Sequence, residues 1–133
     1  MRTLRAVFFV HGLITLAGAV VLIAFPTAIP SAVGITVTRP DYLLVYLVAA
    51  AELAVAVLSF GAMGITDWAA LRLIVTTLVV LHFTSGVLDI VYMALTEPNV
   101  TMISNTVLRF AVVAVLLVVW WAARRHQTPG TNR

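Results

Sequence analysis

Four long apolar stretches constrain this chain more than any other feature of its sequence. They cover about residues 4–25, 42–63, 68–95 and 101–123. At 1.5 Å per residue, each can cross a hydrocarbon core of about 30 Å. A backbone in lipid must satisfy its own polar groups, so such stretches fold as helices. The alternating ten-residue segments of a transmembrane barrel are missing. A water-facing surface cannot be built from this inventory, because 62% of the residues are hydrophobic and 10% are charged. Soluble domains hold about 45–50% apolar and about 25% charged residues. A soluble enzyme, a nucleic-acid-binding module and a disordered tail are thereby excluded. With no cysteine, disulfides, thiolate metal sites and a cysteine nucleophile are excluded as well.

The connections agree with this division. Residues 26–41 hold three of the five prolines and read as loop, GITD at 64–67 reads as a tight link, and TEPN at 96–99 reads as a turn. The short GITD link implies that the helices it joins are antiparallel neighbours. The expected architecture is all-α, a transmembrane four-helix bundle forming a single membrane domain over residues 1–133, with a tail at 124–133. The opening MRTLR precedes an apolar run longer than the 7–15 residues of a signal peptide, so it reads as a retained span. All the basic residues are arginines. With both termini cytoplasmic, Arg2, Arg5, Arg72, Arg124, Arg125 and Arg133 lie inside and only Arg39 and Arg109 lie towards the outside. This bias implies a multi-pass protein of the cell inner (plasma) membrane.

Ionisable residues inside spans cost at least about 2.5–3.5 kcal/mol near the bilayer centre, so each needs a partner or a purpose. Glu52 lies about 15 Å below Tyr42, and His82 about 16 Å above Leu71. Both depths are near the midplane, which suggests a Glu52–His82 pair. Asp89 and Arg109 fall together in the outer leaflet and suggest a second pair, with Asn105 one turn from Arg109 as support. His82, Ser85 and Asp89 line one helix face. Ala49, Glu52, Ala56 and Ser59 line another, and His11, Thr15 and Gly18 a third. These small and polar stripes imply a close-packed interior seam.

The seam admits two interpretations. It can fix helix register and nothing more, or it can bind a quinone, a lipid headgroup, a proton or haem b. Haem would call on His11 and His82, the two histidines inside spans, but their depths of about 10 Å and about 16 Å do not match. No Ser-His-Asp arrangement, Walker loop or HExxH spacing is present, so no catalytic or metal-binding residue is assigned. Trp120, Trp121, Arg124 and Arg125 read as an anchor to anionic lipid, at about 1 kcal/mol per arginine. Asn99-Val100-Thr101 matches a glycosylation acceptor. His126 reads as a solvated residue of the basic tail.

The stretch Pro26-Thr27-Ala28-Ile29-Pro30-Ser31-Ala32-Val33-Gly34, together with Ala51-Glu52-Leu53 and the small residues that follow to Gly61, resembles small bacterial DoxX-like and related four-helix membrane proteins. That resemblance implies association with membrane redox complexes or with assembly of other membrane proteins. It also marks Glu52 as the residue to watch. The sequence thus favours a non-catalytic accessory subunit or assembly factor, in a homo-oligomer or a larger membrane complex, with no cofactor. The alternative is a redox- or lipid-active protein with a quinone or haem in its seam.

Overall fold

Each long helix begins and ends where local chemistry requires. The computed structural model describes residues 1–125; His126, Arg133 and the polar stretch expected at 127–133 lie outside the described residues. Helix α1 spans Arg2–Ala24 and stops before Pro26, since the residue preceding a proline is driven out of the helical region. A short helix, α2, spans Ala28–Ala32 within the stretch expected to be loop. Its Pro30 falls in the first turn, where the missing N–H has no helical role. A 3-10 turn at Arg39–Asp41 leads into α3, Tyr42–Ala62. There the Asp41 carboxylate accepts from the Thr38 N–H at 2.9 Å and from the Thr38 hydroxyl at 2.7 Å.

Helix α4, Trp68–Leu95, is opened by Asp67, whose Oδ2 accepts from the Ala70 N–H at 2.7 Å. Helix α5, Val100–Arg125, is opened by Asn99, whose Oδ1 accepts from the Met102 N–H at 2.8 Å. The other end of that amide, Nδ2, reaches the Ala32 carbonyl at 3.4 Å and joins α2 to the α4–α5 turn. Gly34 sits beside this contact with φ of +82°, and a Cβ there would come within 3.1 Å of Asn99 Nδ2.

The four long helices form a bundle of two antiparallel hairpins, α1 with α3 and α4 with α5. The hairpins meet through α1 and α5, and α3 touches α4 only slightly. The short 64–67 link therefore joins helices that are not each other's main partners, contrary to the expectation drawn from its length. Small residues explain the close α1–α3 contact: Gly12, Thr15 and Ala19 are buried on one helix, and Ala49, Ala56 and Ser59 on the other. At the end of the bundle holding the N-terminus, Leu4, Phe8, Ala62, Leu71, Ile74, Val75, Leu78 and Leu116 form a core drawn from all four long helices. At the opposite end a smaller core of Leu22, Val45 and Ala49 is covered by Val37 of the connecting loop.

All four long helices are long and apolar enough to cross a membrane. Between 17% and 33% of each span's most apolar window is buried inside the protein. The outward residues are nonetheless Leu, Val, Ile and Phe, including Leu43, Leu73 and Val118. A soluble bundle would turn a polar face outward. These are the features of a multi-pass membrane protein in contact with lipid.

Candidate functional site

The interior polar groups gather at three points of contact along the seam. On α1, His11 is buried and its Nδ1 lies 2.9 Å from Ser59 Oγ on α3. On α4, His82 places its Nε2 2.7 Å from His11 Nε2, with the two rings edge to face at 86°. The tautomers follow from a count of hydrogens. Ser59 has one hydroxyl hydrogen and donates it to the Val55 carbonyl at 2.8 Å. Its oxygen is left as acceptor for His11 Nδ1–H. In the neutral ring, His11 Nε2 then carries a lone pair and accepts from His82 Nε2–H. The result is a directed chain from His82 through His11 and Ser59 to Val55. At its head, His82 Nδ1 is buried and has no hydrogen-bond partner among the described residues.

The Glu52–His82 pair expected from the sequence is not formed, because His82 is bound to His11 instead. The expectation assumed that α3 and α4 pack side by side, whereas α3 packs on α1. Glu52 is half-buried on the α3 face that carries Ala49, Ala56 and Ser59, and it lies in the field of the Arg109 guanidinium. The same guanidinium acts on His82.

The mismatch in depth between His11 and His82 is likewise corrected. Residue counting treated the helices as parallel rods starting level, but α4 has 28 residues and α1 has 23. At 1.5 Å per residue α4 is about 42 Å long, more than a hydrocarbon core of about 30 Å, so it must tilt or project.

Towards the opposite end, Arg109 Nε donates to Asp89 Oδ2 at 2.9 Å, the pairing expected between α4 and α5. Asn105 Nδ2 reaches the same oxygen at 3.4 Å, in the supporting place expected of it. Thr106 Oγ1 also lies 3.4 Å from that oxygen, but its hydrogen goes to the Met102 carbonyl at 3.0 Å. Thr15 donates to the carbonyls of His11 and Gly12, and so turns back onto its own helix next to the histidine. Ser85 is half-buried on the face of α4 between His82 and Asp89.

Residue counting had missed two things here. One is the direct contact of the two histidines, for which residue counting held no signal. The other is the capping role of Asn99, for which a polar residue just before an apolar run is the usual sign.

The expected lipid anchor divides into two parts. Arg125 lies over the Trp121 ring at 3.3 Å, and Trp121 is exposed. Trp120 turns instead to Trp68 on α4, with ring centroids 5.0 Å apart, and shares a cavity with Arg124 and Arg72. Comparison with protein-family models, with curated proteins and with solved structures finds no match for this chain.

Proposed function

We propose that this chain is an accessory subunit or assembly and scaffold factor of a larger membrane complex, non-catalytic, seated in the cell inner membrane with both termini cytoplasmic. One observation carries the reading: polar side chains of all four long helices bond across helix boundaries and so join the helices. His11–Ser59 closes the α1–α3 hairpin, Asp89–Arg109 closes the α4–α5 hairpin, and His11–His82 ties the hairpins together. Contacts of this kind fix register between helices whose outer faces are left apolar for lipid or for a partner's helices. Arg2, Arg5, Arg72 and Arg124 stand at the end of the bundle where α1 begins and α5 finishes, which supports the cytoplasmic assignment of that end. The likeness to DoxX-like proteins points the same way.

The test is purification of the full chain in a mild detergent, followed by identification of the proteins that accompany it. A partner in fixed proportion supports the subunit role. His11→Ala and His82→Ala should lower stability and assembly together, with a coupling of about 0.5–3 kcal/mol in the double-mutant cycle. The scaffold role is refuted if both variants stay folded and assembled while a cellular activity is lost.

A second reading is favoured by His82 Nδ1, a buried acceptor with no donor among the described residues. Leaving such a group bare costs about 1–3 kcal/mol, and a quinol or lipid hydroxyl would satisfy it. Retention of a quinone by purified wild-type protein, and its loss in His82→Leu, would support this; equal retention would refute it. Haem does not fit the pair as built. Two imidazoles on one iron hold their nitrogens about 4 Å apart, twice a metal–nitrogen bond of about 2.0 Å, whereas these stand at 2.7 Å.

A further inference from the structure

We infer that the cavity between the first turn of α4 and the last turns of α5 is a binding site for a phosphate group. It has a volume of about 270 Å³ and is lined by Trp68, Ala69, Arg72, Trp120 and Arg124. Its two cations come from different helices, so their convergence is a product of the fold and not of a basic run in sequence. Neither Arg72 nor Arg124 has an acidic partner among the described residues; the ion pair seen there is Arg109–Asp89. The acid closest in sequence, Asp67, uses its Oδ2 to cap α4. Arg125, next in the chain, is turned to Trp121 instead.

Two guanidinium forks with no carboxylate between them suit an anion with several acceptor oxygens, and phosphate matches the planar fork better than it matches a point charge. The tryptophans form the apolar wall, tilted at 52° to one another. Tryptophan is a residue type enriched at the level of lipid headgroups. Size selects within the anions. The cavity equals the liquid volume of about nine waters at roughly 30 Å³ each. It lies just below the range of about 300–1,000 Å³ typical of drug-sized ligands. A phosphate group fits within it. The source is either the headgroup of an anionic phospholipid or free phosphate.

The full chain is reconstituted in nanodiscs of phosphatidylcholine with a minority of phosphatidylglycerol, then delipidated, and the retained lipid is identified by native mass spectrometry. Wild-type protein should retain phosphatidylglycerol preferentially. Arg72→Gln and Arg124→Gln should each reduce that preference by about fivefold, the weight of one arginine at an anionic surface. Arg5→Gln, at the same end but outside the cavity, should leave it unchanged. In a second arm, inorganic phosphate is titrated into delipidated protein and tryptophan fluorescence is followed. A response abolished by Arg72→Gln identifies free phosphate as a ligand, and retention of phosphatidylglycerol without such a response identifies the headgroup. If the arginine variants do not fold, the wild-type preference for phosphatidylglycerol and the phosphate titration decide alone. The site is overturned if wild-type protein shows neither, or if Arg5→Gln weakens retention as much as Arg72→Gln.

Discussion

Replacing Gly12 by alanine and replacing Gly18 by alanine make the same chemical change on the same helix, and the structure gives them opposite outcomes. A Cβ at Gly12 would stand 2.8 Å from Phe60 Cε1 and 3.0 Å from two more atoms of that ring. Carbon atoms pack best at about 3.5–4.0 Å, so the ring or the helix must retreat by about 0.7 Å or more. Phe60 already packs against Phe9, on the same helix α1 as Gly12, with ring centroids 6.1 Å apart, so a shift of its ring disturbs that contact as well. Overpacking of this kind costs about 1–3 kcal/mol. A Cβ at Gly18 meets nothing within 4 Å. Gly18→Ala should therefore be neutral or stabilising, by up to about 1 kcal/mol from helix propensity. The two variants should differ by about 1–4 kcal/mol in unfolding titrations with sodium dodecyl sulfate in mixed micelles, followed by circular dichroism. Phe60→Leu introduced into the Gly12→Ala chain should recover part of the loss, with a coupling of about 0.5–3 kcal/mol. Gly12 adjoins His11, so the same retreat stretches the 2.9 Å contact between His11 and Ser59. If the two alanine variants agree within about 0.5 kcal/mol, the close α1–α3 packing described above is wrong.

Other perturbations separate the remaining contacts. Arg109→Leu leaves the Asp89 carboxylate without its cation. The two side chains are 27% and 26% exposed, which places the loss between about 1 kcal/mol for an exposed pair and about 3–5 kcal/mol for a buried one. Changing both partners to leucine should recover much of that loss, and thermal unfolding of the three variants checks both statements. Asn99→Ala removes the cap of α5 and should cost about 1 kcal/mol. It should also speed hydrogen exchange in α2, which Asn99 holds through the Ala32 carbonyl. Asp67→Ala should cost a similar amount at the start of α4 and leave exchange in α2 unchanged.

The spans were legible because lipid imposes one rule on every residue of a crossing helix, and the runs around 45–57 and 111–121 obey it without exception save Glu52. The Asp89–Arg109 contact was legible for a related reason. The outer parts of the two helices hold one acid and one base at matching depth, and a charge inside a span needs its opposite. Pairing across the GITD link failed because loop length constrains where helix ends lie, not which faces meet. The faces are decided by small residues: Gly12 admits Phe60, and Gly86 lies 3.0 Å, measured from its would-be Cβ, from the Phe110 ring. Those two approaches draw α1 onto α3 and α4 onto α5, and His82 is left facing His11 and not Glu52. Depth counting missed this contact because it carries no information about tilt or about where each helix starts.

The scaffold and ligand readings converge on one atom, because the hydrogen joining the two hairpins belongs to His82 Nε2. A neutral imidazole has one N–H, so whatever approaches His82 Nδ1 also acts on the link. A ligand that donates a hydrogen bond to Nδ1 keeps the tautomer, polarises the ring and strengthens the chain through His11 and Ser59. A ligand that needs Nδ1 as a donor removes the hydrogen from Nε2. His82 Nε2 is then an acceptor, which is met when His11 carries its hydrogen on Nε2 and Ser59 turns its hydroxyl to His11 Nδ1. The chain then runs from Ser59 through His11 to His82, and the link between the hairpins is kept. A hydroxyl such as that of a quinol therefore selects one direction of the chain, and a pure acceptor such as a quinone carbonyl selects the other. The Ser59 hydroxyl marks the difference, because it bonds the Val55 carbonyl in the first state and His11 Nδ1 in the second.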